Sequence, residues 1–124
     1  MTEARSWSLD IPGELLTHNK ERASHWSVRS RIAKQWRTDA HWLTIGARIP
    51  HLERCSFDIR IEQSRGRLAD TGAHEPVAKA AIDGLVDAGV LDDDTGAHVT
   101  GITFHPPTRP ADKIDRLILT ITEA

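Results

Sequence analysis

Four aspartates and one lysine in the second half of the chain carry the residue types that phosphate chemistry uses. Asp70 follows an alternating apolar segment, and Asp92, Asp93 and Asp94 stand together just past an apolar helical stripe. Carboxylates gathered in space repel one another unless a cation neutralises them, and magnesium prefers carboxylate and water oxygens. A bound magnesium ion activates water and stabilises the charge that builds on a phosphate. Asp70, Asp92, Asp93 and Asp94 are therefore candidate magnesium ligands. An acidic triplet is equally what a solvated loop carries, and composition alone does not separate the two readings. Lys79 lies between them, one turn into the helix, where its ammonium would stabilise a phosphoryl transition state or orient a carboxylate. A surface helix lysine looks the same in sequence. Asp83 is spaced to pair with Lys79 at i,i+4, although acid before base is the better order.

A second set of residues is basic. Arg22, Arg29, Arg31, Lys34 and Arg37 gather around one long helical stretch, and Arg65 and Arg67 approach Asp70. Together they would neutralise phosphates along a nucleic-acid backbone. Trp26, Trp36 and Trp42 interleave with them; Trp36 suits the core, and Trp26 suits either the core or stacking on a base. The charge is unevenly spread. Residues 1–67 hold 12 Lys and Arg against 8 Asp and Glu, a balance of +4, and residues 68–124 hold 4 against 10, a balance of −6. A basic half and an acidic half suit a protein that holds a polyanion on one surface and a divalent cation on another. The seven histidines show no trusted metal spacing, and no Gly-rich phosphate loop or HExxH helix is present.

These residues need elements to position them. Trp7, Leu9 and Ile11 alternate with polar residues, which predicts a short opening strand ended by Pro12-Gly13. Leu15 to His25 reads as a loop. A long helix follows to about Gly46, with Ser24 as its N-cap and Ala33, Trp36, Ala40 and Leu43 as its packed face. Cys55, Phe57, Ile59 and Ile61 alternate strictly, which is the clearest strand signal. A loop spans Gln63 to Glu75. Pro76 opens a helix whose apolar stripe is Val77, Ala78, Ala81, Ile82, Leu85 and Val86, and Gly89 stops it. Val99 to Phe104 and Arg116 to Thr122 read as the last strands, joined by a proline-containing irregular segment. The order β-α-β-α-β-β predicts a two-layer α/β (α+β) fold: a mixed sheet with two helices against it.

A chain of 124 residues fits one domain, here 1–124, with a continuous core. Hydrophobic residues make up 39% and charged residues 27%, which excludes whole-chain disorder. Cys55 is the single cysteine, so an intrachain disulfide and a Cys-rich zinc site are excluded. No apolar run approaches the roughly 20 residues of a membrane span. The polar start, Met1 to Trp7, lacks a signal-peptide core, and the expected location is cytoplasmic.

The block from Lys79 through Asp83-Gly84-Leu85, Ala88-Gly89 and Asp92-Asp93-Asp94 resembles the central signature of RusA-type Holliday junction resolvases. That signature is a lysine, a small-residue helix with an inner aspartate, an Ala-Gly end and an Asp-Asp pair. Arg116 to Glu123 is similar to the family's last strand. Ile11 to Asn19, with Arg22, His25-Trp26 and Lys34 through Arg37, resembles the opening of phage and actinobacterial members, so the likeness runs nearly the length of the chain. The resemblance implies a homodimeric, magnesium-dependent endodeoxyribonuclease that resolves four-way DNA junctions in recombination and repair. Its essential positions fall on Asp70, on Asp93 with Asp94 or Asp92 beside it, and on Lys79. This chain departs from the family where a second aspartate and an asparagine are usual: Gly72 and Ala73 stand there. Glu75 or His74 would then supply the missing ligand. The departure leaves a branched-DNA-binding relative that cuts weakly or not at all as the alternative reading, and a small non-enzymatic interaction module as a third.

Overall fold

The computed structural model describes residues 4–124; Met1, Thr2 and Glu3, the first part of the polar N-terminal segment, lie outside the described residues. Four strands form one mixed sheet: β1 (Ser6–Pro12), β2 (Cys55–Glu62), β3 (Val99–Phe104) and β4 (Arg116–Glu123), in the order β1-β4-β2-β3. Among the described residues, three helices accompany it: α1 (His18–Ala23), α2 (Trp26–Gly46) and α3 (Glu75–Asp87). The α+β architecture inferred from hydrophobic periodicity is the one observed.

The sheet is built on alternation. Cys55, Phe57, Ile59 and Ile61 of β2 are buried, and so are Leu117, Leu119 and Ile121 of β4. Antiparallel register sets Phe57 opposite Ile121 and Ile59 opposite Leu119. On the other side of β4, Leu9 pairs with Leu119 and Ile11 with Leu117. The apolar side chains of three strands thus share one face, as a period of two requires. The helices α2 and α3 cover that face, and Ile32, Trp36, Val77, Ala81 and Leu85 join the same core. Because α3 carries the chain back over the sheet, β3 pairs parallel to β2, as a helical crossover permits. β3 is an edge strand.

Two features of the helical layer differ from the sequence reading. The segment expected as a loop contains a third helix, α1, six residues long with none of them buried. Local polar bonds hold it: Lys20 N–H donates to Thr17 Oγ1 at 3.1 Å, and the Ser24 hydroxyl donates to the Lys20 carbonyl at 2.6 Å. A helix fixed by caps and burying nothing leaves no apolar periodicity to read. Ser24 accordingly closes α1, and His25 caps α2, with Nδ1 accepting from the Ser27 N–H at 3.2 Å. The packed face of α2 is Ile32, Trp36, Ala40 and Thr44, whereas Leu43 is 40% exposed. Of the expected stripe, Trp36 and Ala40 are buried, Ala33 is half-buried against the core, and Leu43 is replaced by Thr44.

The two long helices meet closely where Gly84 faces α2. A Cβ at Gly84 would stand 2.9 Å from the Ala40 Cβ and closer still to the Arg37 carbonyl oxygen. Arg37 locks the same contact from outside, with Nη2 donating to Asp87 Oδ1 at 2.8 Å and Nε to Oδ2 at 2.5 Å. That bond holds the Asp87 carboxyl below its usual range and raises the guanidinium. This packing fixes the outward face of α3, where the candidate site lies.

Candidate active site

α3 buries Val77, Ala78, Ala81, Ile82 and Leu85 and leaves Lys79 and Asp83 on its outer edge. Their i,i+4 spacing brings Lys79 Nζ to 2.9 Å from Asp83 Oδ1. The same ammonium donates to Asp94 Oδ2, which reaches it from the loop after α3. Asp94 is itself held by its neighbour, since Asp93 Oδ1 accepts the Asp94 N–H at 2.7 Å. The bonds to Asp94 and then Asp83 raise the Lys79 pKa, and the bond from Lys79 lowers that of Asp94. Lys79 is therefore a fixed cation and Asp94 a fixed carboxylate at neutral pH. A lysine held this way stabilises negative charge; it does not serve as a general base.

These groups form one side of a cleft of about 160 Å³. Glu75, Ala78, Lys79 and Ile82 of α3 line it with Asp94, and Val99, Ile102 and Phe104 of β3 form its apolar wall. Glu75 comes from the first turn of α3, where its Oε2 lies 3.2 Å from His18 Nε2. The start of α1 is stitched to the same turn by the His18 N–H, which donates to the Ala73 carbonyl at 3.0 Å. The cleft thus combines two carboxylates, one ammonium and an apolar wall.

The sequence-derived residues divide among several places. Lys79, Asp94 and Glu75 share the cleft, with Asp93 bracing Asp94. Asp92 turns to His51, whose Nε2 is 3.0 Å from Asp92 Oδ1, and stays largely exposed. Asp70 is exposed in the turn before α3; its carbonyl accepts from the Ala73 N–H at 3.0 Å, and its carboxylate makes no hydrogen bond among the described residues. Gly72 has a backbone reason to be glycine, because its φ is +84°, a conformation L side chains rarely adopt. Sequence reasoning set His18 aside. His74, offered as a substitute ligand, is buried, with Nδ1 unpartnered and its pKa pushed down by burial.

Among the described residues, no group of three or more His, Cys, Asp or Glu side chains converges as ligands for one ion. The expected union of Asp70 with the whole aspartate triplet is not assembled. The donor chemistry of the cleft nevertheless suits magnesium, which keeps several waters and is commonly held by one or two carboxylates plus substrate phosphate. Asp94 and Glu75 are the residues that would hold it.

The basic residues also separate. Lys34 and Arg29 are exposed and make no ion pair among the described residues. Arg31 reaches Glu14 at 3.3 Å, and Arg22 donates to Asn19 Oδ1 at 2.6 Å. Arg37 is committed to Asp87 and ties α2 to α3. Arg65 and Arg67 are exposed in the turn after β2, where their carbonyls accept from Gln63 Nε2 at 2.8 Å. Among the described residues, no helix is long and apolar enough to cross a membrane. No family model matches the chain, and no curated protein matches it.

Proposed function

We propose that this chain is a RusA-type, magnesium-dependent endodeoxyribonuclease that cuts branched DNA, four-way junctions above all, as a cytoplasmic homodimer in recombination and repair. The observation that carries the reading is Lys79, held between Asp83 and Asp94 at the edge of a cleft that also presents Glu75. A phosphodiester entering the cleft meets an ammonium that stays protonated and can bond a non-bridging oxygen as charge develops. Asp94 is kept ionised and oriented by Lys79 and by the brace from Asp93, and Glu75 is presented from the first helical turn. Bound between them, magnesium would supply Lewis-acid activation of water and phosphate.

A branched-DNA binder that cuts poorly is the second reading. The Asp70 carboxylate has no anchor among the described residues, and Asp92 is drawn off to His51. One experiment separates them: purified protein is incubated with an end-labelled four-way junction in magnesium and in EDTA, then run on native and denaturing gels. Magnesium-dependent nicks support the nuclease. A shifted band without nicks supports the binder, and neither signal removes both.

A further inference from the structure

The outward face of α2 carries a groove that the cleavage chemistry does not use. Trp26, Ser30, Arg31, Lys34, Gln35 and Thr38 are among its lining residues, and its volume is about 330 Å³. Among the described residues, no carboxylate and no aliphatic side chain lines it. Trp26 is 64% exposed at one end, beside the His25 ring. Lys34 has no ion-pair partner among the described residues, and Arg31 has only the exposed Glu14. An open indole followed by cations, hydroxyls and an amide matches the chemistry of a nucleic-acid strand, which alternates a π-face with a phosphate.

The groove also leads somewhere. Ser30 and Lys34 line a second groove, between α2 and α3, together with Arg37, Ala80 and Asp83. Asp83 accepts from Lys79, and Lys79 lines the cleft. Ser30 and Lys34 thus join the Trp26 groove to the one that Asp83 lines, and the Asp83–Lys79 bond marks where that track meets the edge of the cleft. The two acids beside it are already answered, Asp83 by Lys79 and Asp87 by Arg37. On a helix rising about 1.5 Å per residue, Trp26 and Lys34 stand roughly 12 Å apart, a span of a few nucleotides.

We propose that this track binds a segment of single-stranded DNA, with Trp26 stacked on an unpaired base and Lys34 and Arg31 on the phosphates that follow. The proposal rests on the DNA-cutting reading for what lies at the far end of the track, and binding is measured without cutting. A fluorescein-labelled oligothymidylate and a blunt duplex of equal length are titrated with the full chain in EDTA, followed by anisotropy. Trp42, also 64% exposed but at the opposite end of α2, is the control. Trp26→Ala weakens oligothymidylate binding roughly 5- to 150-fold, the range that stacking one base implies. Trp26→Phe loses less, Trp42→Ala is unchanged, and duplex binding falls much less. Lys34→Ala lowers the salt slope by about 0.7, one phosphate contact on a single strand. Four results overturn the proposal: no oligothymidylate binding by the parent, a Trp26→Ala variant within twofold of the parent, an equal loss in Trp42→Ala, or an equal loss on duplex. A chain that never cuts junctions but passes this test keeps the track, and one that cuts but fails it keeps only the active site.

Discussion

Gly84→Ala adds one methyl group at the closest approach of α2 and α3, and the structure sets its effect. The new Cβ would lie 2.9 Å from the Ala40 Cβ and 3.1 Å from the His41 nitrogen, and nearer still to the Arg37 carbonyl oxygen. Two of these atoms are backbone and cannot rotate away, so α2 must retreat from α3. Overpacking of this kind costs about 1–3 kcal/mol. Alanine's better helix propensity returns about 1 kcal/mol. The net loss expected is up to about 2 kcal/mol, or up to about 8 °C in Tm for a domain of this size. Thermal unfolding followed by circular dichroism measures it. A Tm above that of the parent would refute the close packing that positions Lys79 and Asp83.

Lys79→Met keeps the side-chain length and removes the cation, so single-turnover junction cleavage is expected to fall about 10²- to 10³-fold. Its effect on stability stays within about 1 kcal/mol, because Lys79 is half exposed and screened; a larger drop in Tm would make the lysine structural. Arg116 donates to Asp112 and Glu62 and forms an ion pair with Asp10, and its bond to Asp112 holds that carboxyl's pKa at about 2. A depressed folded pKa contributes stability that is full above the unfolded value and fades as pH falls towards 2. Asp112→Asn should therefore flatten acid unfolding between about pH 4 and pH 2, read from Tm against pH, and an unchanged profile would contradict the pairing.

Much of this architecture was legible because it follows from periodicity. The alternation in Cys55–Ile61 and Leu117–Ile121 gave the two central strands, and the stripe from Val77 to Leu85 gave α3. The spacing of Lys79 and Asp83 was local enough to read as a pair. What escaped depends on contacts distant in sequence. Arg37 and Asp87 are 50 residues apart, and His51 and Asp92 are 41 apart, so nothing local shows that Arg37 ties two helices or that Asp92 leaves the cleft. The helix α1 escaped for the opposite reason, since short capped helices bury nothing. Gly72 looked like a lost ligand in the sequence, whereas its positive φ makes it a requirement of the turn.

The central claim is that Asp94, held by Lys79 and Asp93, belongs to a DNA-cutting site. Asp94→Asn is nearly isosteric and can still accept a hydrogen bond from Lys79, so the fold is expected to survive, with an unchanged circular dichroism spectrum as the check. The decisive measurement is its single-turnover cleavage of a four-way junction in magnesium, at protein concentrations that bind all of the DNA. The account predicts that the parent nicks the junction while Asp94→Asn binds it undiminished and yields no product above the EDTA control. Cleavage by Asp94→Asn at the parental rate would contradict it.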